Sequence, residues 1–348
     1  MAERIGRRTF AGMLAAGLAA PAMARTALPG PAPLTLIKPP RLKPGDVIGL
    51  VAPGGYTSED AIAKALRNID SLGCKAKQGA NLRAVFGNYA GTARQRLDDL
   101  HAMFADPEVD AIWAIRGGAG CISLLAGLDY ALIRAHPKIL LGYSDITALH
   151  LAIHRHAGLV TFHGPVASST LSDYASEQLL AVLADPQPRT VIPLSSANAF
   201  RALAEPLYGA RTLHAGVASG VLMGGNLSMV SALAGTPYAA DIAGALLFLE
   251  EVNEAPYRID RWMTQLDLVG GLNNAAAVIV GICENCGPED QSLTLDQTLA
   301  LHLDPLTIPA VTGYSIGHIR NQCTLPIGVK ATLDTARQTI TLLAAAVS

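Results

Sequence analysis

The strongest constraint on the fold is a repeated alternation of short apolar runs with segments of helical spacing. The runs Asp46–Ala52, Asp110–Ile115 and Lys138–Gly142 are too short for buried helices and end at glycine-containing turns, which predicts buried β-strands. Apolar residues at helical spacing in Ser58–Leu72 and Arg94–Phe104 predict amphipathic helices between them. Strands that alternate with helices predict βαβ units and a mostly parallel sheet.

A second α/β region follows a weakly patterned stretch. We therefore interpret 41–170 as an N-terminal α/β domain, 171–213 as a connection and 214–348 as a C-terminal α/β domain. A turn is predicted at Gly224-Gly225-Asn226. Further strands, or a final element or two, are predicted at Ala215–Leu222, Gly244–Leu249, Ala275–Ile282 and Thr332–Leu343.

Composition excludes several classes of protein. Of the 348 residues 50% are hydrophobic and only 16% are charged, which excludes a disordered chain. The formal net charge of -2 lacks the basic excess of a nucleic-acid binder. Five cysteines are too few for a disulfide scaffold in a chain that is long enough to bury a core.

The first 24 residues have the pattern of an export signal. Arg7-Arg8 precede a short run rich in Ala and Gly, and Ala22-Met23-Ala24 fits an A-x-A cleavage site. This predicts a twin-arginine (Tat) signal and a periplasmic protein, with a Sec signal or an uncleaved anchor as alternatives. Residues 25–40, with five prolines, predict an extended linker. No later segment predicts a permanent membrane span.

Ser144 stands where the strand Lys138–Gly142 turns into a helix. Such a turn exposes a hydroxyl beside the free N–H groups of a helix N-terminus. The sequence Gly142-Tyr143-Ser144-Asp145 resembles a nucleophile elbow, although Ile146 occupies the position of the second glycine in G-x-S-x-G. The alternative is that Ser144 only caps its helix.

A serine nucleophile needs a base, and the base needs an orienting group. His318 is the histidine in a glycine-flanked turn that begins at Thr312, and Glu250 ends the apolar strand L-L-F-L-E. A charge at such a position is costly without a partner. As an alternative, Glu250 and Glu251 pair with Arg258 or Arg261 on the following helix.

Three other patterns are weaker indications of a functional site. His150, His154 and His156 share one predicted helix, but Leu151 breaks the H-E-x-x-H zinc motif, so packed or solvated histidines are favoured. Cys283 and Cys286 have the C-x-x-C spacing of a redox pair. The Gly-Pro that follows directly would break the helix that a redox thiol needs, so a structural disulfide is the alternative. The loop 117–120 lacks the spacing of a nucleotide-binding fingerprint.

Several sequence blocks occur together in one order. They include R-G-G, G-Y-S-D, G-G-N-L, L-E-E and T-L-P-I-G-V, and in this combination they resemble the LD-carboxypeptidase family of serine peptidases, which includes the microcin-C self-immunity peptidases. The matching stretches are 106–120, 138–150, 161–167, 220–230, 245–266 and 317–334.

The resemblance implies roles for three residues. Ser144 matches the nucleophile, His318 the base and Glu250 the acid that orients the base, although the sequence leaves Glu251 open as that acid. The resemblance also implies a flavodoxin-like parallel-sheet domain followed by a smaller α/β domain, and a homodimer. It implies no metal or organic cofactor.

The same blocks imply groups that bind the substrate. The N–H of Asp145 and that of Gly117 or Gly118 would hold the oxyanion. Arg116, in the R-G-G block, and Asn226, in the G-G-N-L block, are predicted substrate contacts.

The family cleaves the bond between an L-configured centre and a C-terminal D-amino acid, which implies release of D-alanine from murein tetrapeptides. The immunity branch instead cleaves a peptide–nucleotide amide. Two positions depart from the family pattern, because Asn321 replaces a common proline and Ala119 replaces a common aromatic residue. A periplasmic peptide- or sugar-binding protein with two α/β lobes is the alternative without catalysis.

Overall fold

The structure, a computed structural model, describes residues 34–348, which form one unit. The predicted signal peptide and residues 25–33 of the predicted linker lie outside the described residues. The rest of that linker is not a free tether, because Ile37 exchanges backbone hydrogen bonds with Gly158 and Val160. The helices of this part of the chain lack the length and apolar character to cross a membrane.

The strands of residues 34–348 belong to two sheets. In chain order they are β1 (Val47–Val51), β2 (Lys75–Gln78), β3 (Ala111–Ala114), β4 (Ile139–Gly142), β5 (Thr161–His163), β6 (Thr190–Ile192), β7 (Arg211–His214), β8 (Val217–Asn226), β9 (Ala245–Glu250), β10 (Ala277–Gly281), β11 (Ala310–Tyr314), β12 (Leu325–Ile327), β13 (Lys330–Asp334) and β14 (Thr339–Leu342).

The α-helices cover the faces of these sheets. In chain order they are α1 (Glu59–Ser71), α2 (Ala93–Ala105), α3 (Tyr130–Ala135), α4 (Thr147–Ala157), α5 (Asp173–Leu183), α6 (Ser196–Arg201), α7 (Leu227–Leu233), α8 (Pro256–Gly270) and α9 (Leu295–Leu303). Short 3₁₀ turns occupy Cys121–Gly127, Ser144–Ile146, Pro206–Tyr208 and Leu272–Asn274.

The first sheet confirms the predicted fold class. Its order is β12-β5-β4-β3-β1-β2, and β1 to β5 are parallel in the flavodoxin-like order 2-1-3-4-5. The residues of β3 and β4 are buried throughout, which explains why these strands are continuous apolar runs. Ser58 caps α1 and Thr92 closes a capping box on α2, close to the predicted helix starts.

The second sheet corrects the predicted connection. Its order is β6-β14-β13-β8-β9-β10-β11-β7, with β8 to β11 parallel, so residues 171–213 supply both of its edge strands as well as α5 and α6. The sequence pattern is weak there because β6 and β7 are short and half-exposed. The predicted boundary at residue 214 is also crossed, since β12 returns to pair antiparallel with β5 in the first sheet.

The turn predicted at Gly224-Gly225-Asn226 is wrong, because β8 runs through all three residues. Both glycines have a positive φ, 138° and 136°. A Cβ on Gly224 would lie 1.9 Å from the backbone oxygen of Phe248, and one on Gly225 would lie 2.5 Å from Thr147 Oγ1. Glycine is required here by close approach rather than by a change of direction.

The glycine-rich turn predicted from Thr312 also starts too early. Thr312, Gly313 and Tyr314 belong to β11, and the chain leaves the sheet only at Ser315. The strand is buried along its whole length. His318 therefore lies in the loop directly beyond the carboxyl end of β11, where side chains of a parallel sheet meet a ligand.

We predict that Gly224→Ala destabilises the protein by about 3 kcal/mol or more, because the new Cβ collides with the backbone of β9 and the backbone angle is unfavourable for alanine. Urea unfolding measures this change. Gly287→Ala is the matched control, since a Cβ there meets nothing within 4 Å and its φ is not left-handed. A loss below about 0.5 kcal/mol for Gly224→Ala would contradict the close approach of β8 and β9.

Candidate active site

The structure brings together the three side chains that the sequence singles out. Ser144 follows β4 of the first sheet, Glu250 ends β9 of the second sheet and His318 follows β11. His318 Nε2 lies 3.0 Å from Ser144 Oγ, and His318 Nδ1 lies 2.7 Å from Glu250 Oε2. A hydroxyl, an imidazole and a carboxylate thus form one hydrogen-bonded chain between the sheets.

Ser144 is held in a strained backbone conformation. Its φ is +66°, in the left-handed region that costs an L-residue roughly 1–2 kcal/mol. It is the first residue of the 3₁₀ turn Ser144–Ile146, and its Oγ faces His318 rather than capping the helix. The sharp turn that the sequence predicts is therefore present, although residue 146 is Ile.

Glu250 is completely buried, and His318 is its ionic partner. Burial alone raises the pKa of a carboxyl group, but the charge of His318 and its hydrogen bond outweigh that effect, so the pKa of Glu250 is lowered. Burial likewise lowers the pKa of His318, yet the Glu250 carboxylate reverses the direction and the pKa is raised. The alternative pairing with the next helix is wrong, since Arg258 pairs with Glu254.

Glu251 points elsewhere, as successive residues at a strand end do. Its carboxylate accepts hydrogen bonds from Asn226 Nδ2 and from the backbone N–H of Ser228 and Val252. Burial first, and then the nearby charge of Glu250, raise the pKa of Glu251 to about 7. The structure thus places Glu250, and not Glu251, against the histidine.

The glycine loop after β3 lies directly against the serine. A Cβ on Gly117 would be 2.7 Å from Ser144 Cβ and 3.1 Å from the backbone N of Asp145. A Cβ on Gly118 would instead meet the backbone of Gly55, 2.9 Å from its N. Asp145 Oδ2 accepts the N–H of Cys121 and so ties the end of this loop to the serine turn. The backbone of Gly117 therefore lies against Ser144 and Asp145, whereas that of Gly118 lies against Gly55, and oxyanion binding by these N–H groups stays a prediction.

The two predicted substrate contacts occupy different environments. Arg116 is exposed, and one guanidinium N–H donates to the backbone oxygen of Tyr56 at 3.0 Å. Asn226 is buried, and its side chain donates to Glu251 and accepts from Met229 N–H at the start of α7. Arg116 is free to meet a ligand with its other donors, whereas the amide of Asn226 is already engaged. Substrate contact by either residue stays a prediction.

The histidine and cysteine patterns that gave weaker predictions contribute no side-chain hydrogen bond to Ser144, Glu250 or His318. His150 Nε2 contacts the backbone oxygen of Gly142, and His156 Nε2 contacts that of Pro237. The two rings therefore serve different backbone partners. Cys283 and Cys286 are buried free thiols, so the two residues do not form the alternative structural disulfide in this structure.

Two aromatic rings that sequence reasoning did not single out lie beside Ser144, His318 and Glu250, the catalytic triad that the family resemblance implies. The ring of Tyr143 lies 4.6 Å from that of His318, centroid to centroid, and that of His163 lies 6.0 Å from Tyr143. Tyr143 is the direct neighbour of Ser144, and His163 stands in the T-F-H-G-P block. Position in those blocks was the available signal for both residues.

Comparison with known proteins identifies the family. Residues 48–164 match the LD-carboxypeptidase N-terminal domain, and residues 219–333 match the LD-carboxypeptidase C-terminal domain. The chain belongs to the LD-carboxypeptidase family. It is therefore a serine peptidase, and each matched domain contributes to the chain of hydrogen bonds, Ser144 from the first and Glu250 and His318 from the second.

Individual relatives of this chain agree with the family assignment. A probable murein peptide carboxypeptidase of Bacillus subtilis is 40% identical over 87% of this chain and 93% of its own length. The murein tetrapeptide carboxypeptidase of Pseudomonas aeruginosa is 32% identical over 82% and 92%. The wild-type apo structure of the microcin C7 self-immunity protein MccF, at 24% identity, has a TM-score of 0.82 over 90% of this chain and all of that one, which shows a shared fold.

The geometry predicts different effects for the two adjacent glutamates. Glu250→Gln removes the charge that stabilises protonated His318, so we expect kcat for peptide hydrolysis to fall about 10⁴-fold. Glu251→Gln is the matched control, and we expect its main effect on stability, because it disturbs the hydrogen bonds at the start of α7. Steady-state kinetics and thermal unfolding of both variants measure this. Equal losses of kcat would mean that Glu250 does not orient the histidine.

Proposed function

We propose that this enzyme is a carboxypeptidase that hydrolyses an L,D-peptide bond and releases the C-terminal D-amino acid, D-alanine, from murein tetrapeptides. The observation that carries the proposal is the hydrogen-bonded chain Ser144–His318–Glu250 in a member of the LD-carboxypeptidase family. Two relatives named for murein peptides support this substrate class.

In the first half of the proposed reaction, Ser144 Oγ attacks the carbonyl carbon of the scissile bond. His318 Nε2, 3.0 Å away, takes the hydroxyl proton, and the imidazolium then gives that proton to the amine of the departing D-amino acid. Glu250, bonded to Nδ1, keeps the ring in the tautomer whose Nε2 can accept and stabilises the imidazolium. The product of this half is an acyl-enzyme on Ser144.

In the second half, water attacks the acyl-enzyme with His318 again as the base. The shortened peptide leaves, and the proton returns to Ser144 Oγ. In both halves the negative oxygen of the tetrahedral intermediate faces the N–H of Asp145, in the first turn after β4, and the glycine loop at Gly117. N–H groups in the first turn of a helix have no partner within it and are preorganised to bind an anion. One such donor is worth about 3–4 kcal/mol.

Arg116 is the cation proposed to contact the substrate. Its guanidinium is exposed and anchored by one N–H to Tyr56, and a Cβ on Gly118, next along the chain from Gly117, would lie 3.6 Å from its Nε. A carboxylate is the natural partner for the remaining N–H groups. In the proposed complex Arg116 pairs with the carboxylate of the C-terminal D-alanine, which is the only charge that this residue carries.

We further propose that the enzyme acts after export and as a homodimer. Residues 1–24 carry the twin-arginine pattern, and murein lies on the outer side of the cytoplasmic membrane. N-terminal sequencing of protein from the periplasm should find Arg25 as the first residue. Recovery of the full-length chain only from the cytoplasm would contradict export.

The proposed function is tested by release of D-alanine from a purified murein tetrapeptide. We expect release by the wild-type enzyme and a loss of at least about 10³-fold in Ser144→Ala at equal folded concentration. Equal release by both proteins would show that Ser144 is not the nucleophile.

A peptide–nucleotide amide, the substrate class of the immunity branch, is assayed in parallel. The sequence likeness to the microcin C7 self-immunity protein MccF of Escherichia coli, 27% identical over 86% of this chain, is the observation that favours this second candidate. Cleavage of the amide with no D-alanine release would overturn the murein proposal in its favour. Binding of the tetrapeptide without cleavage of either compound would instead identify a binding protein.

A further inference from the structure

A second histidine lies behind the acid of the triad. His163 ends β5, where it pairs with Gly142 of β4 on one side and Leu325 of β12 on the other. Its ring is fully buried and stands edge-on to the ring of Phe248, 5.2 Å away between centroids. Phe248 and Glu250 are two residues apart on β9 and so share one face of the sheet. His163 and Glu250 thus occupy the same buried layer.

Both groups have polar atoms without a partner. Among the described residues, three buried atoms of this layer have no hydrogen-bond partner. They are the two ring nitrogens of His163 and the second carboxylate oxygen of Glu250, Oε1. An unsatisfied buried polar group costs roughly 1–3 kcal/mol, and native proteins remove that cost with a direct bond or a buried water. Here a carboxylate oxygen that needs a donor and an imidazole that has one lie in the same layer.

The charge state of His163 suits this pairing. Burial lowers the pKa of His163 to about 4. The nearby Glu250 carboxylate acts to raise this pKa, and His318 acts to lower it. The ring is therefore neutral at neutral pH and carries one N–H. The other titratable groups around it are Tyr143 and His150, which do not supply a charge, because burial raises the pKa of Tyr143 to about 12 and lowers that of His150 to about 3.

We propose that His163 is a positioning residue for the triad, whose ring N–H is directed to Oε1 of Glu250 through one buried water. The inference rests on the proposed function, since it assigns His163 a role in the same reaction. A donor at Oε1 fixes the rotation of the carboxylate, so that Oε2 remains opposite His318 Nδ1. It also draws negative charge away from Oε2, which limits how strongly Glu250 stabilises protonated His318.

The test is His163→Phe, which keeps a flat ring against Phe248 and Tyr143 but removes the donor. We expect kcat for D-alanine release to fall roughly 10- to 100-fold, the range seen when an outer hydrogen-bond partner is removed at a metal centre. KM should stay within about twofold, because His163 is buried and does not touch the substrate.

The pH profile separates positioning from packing. Without the donor, Oε2 keeps more charge and protonated His318 is favoured, so the acidic limb of kcat/KM should move to higher pH in His163→Phe. His163→Gln, which restores an N–H, should recover most of kcat and return the limb toward the wild-type position. Equal losses in the Phe and Gln variants with an unmoved acidic limb would overturn the proposal in favour of a packing role.

His154→Gln is the control variant. His154 is a largely buried histidine of α4 whose ring lies against Gly328, away from the three triad residues. It should retain wild-type kcat and the wild-type pH profile. Wild-type kinetics in His163→Phe as well would overturn the proposal while leaving the proposed function intact, whereas full activity in Ser144→Ala would remove the proposed function itself.

Nuclear magnetic resonance of wild-type protein with ¹⁵N-labelled imidazoles keeps the inference testable if the His163 variants fail to fold. We expect the His163 ring to remain neutral between pH 5 and 8, with one ring N–H protected from exchange with water. A ring that becomes charged in this range, or one whose N–H exchanges freely, would overturn the proposal.

Discussion

The ion pair between Glu250 and His318 is the interaction on which the rest of the site depends. A carboxylate with no exposed surface at the end of a central strand is tolerated only when it is paired. The pairing fixes the loop after β11, where His318 lies, and that loop is also tied down by the backbone bonds from Ile282 N–H to Ile316 and from Cys323 N–H to Ser315. Once His318 is held in place, the hydrogen-bonded chain is completed by Ser144, which follows β4 of the first sheet and lies 3.0 Å away.

The distance between serine and histidine is set by contacts that join the two sheets. The N–H of Asn226, at the end of β8, donates to Thr147 Oγ1 at the start of α4, at 3.0 Å. A side chain at Gly225 would push Thr147 away, so the glycine of the G-G-N-L block permits this approach. Because β12 returns to the first sheet beyond His318, the chain crosses between the sheets on both sides of the site. The G-G-N-L block thus joins the two sheets beside the site.

The sequence predicts elements best where burial is uniform. The strands β3 and β4 are buried on both faces and form unbroken apolar runs in the sequence. Ser144, Glu250 and His318 each lie in a sequence stretch that resembles the LD-carboxypeptidase family. Edge strand β7 is half-exposed and has the polar sequence R-T-L-H, so local pattern could not reveal it. The sequence pattern predicts a turn at Gly224 because sequence alone does not distinguish a change of direction from the approach of a neighbouring strand. The ring nitrogens of His163, which lack a hydrogen-bond partner, can be recognised only from the three-dimensional structure.

We propose from the site geometry that Ser144 is a nucleophile activated by His318 and Glu250. Labelling with a fluorophosphonate, followed by mass spectrometry of the digested protein, tests it most directly, because the probe reports nucleophilicity without assuming a substrate. We expect one adduct, on Ser144, whose rate of formation falls by at least about 10³-fold in His318→Gln. An adduct on another serine, or labelling of Ser144 at an unchanged rate in His318→Gln, would contradict it.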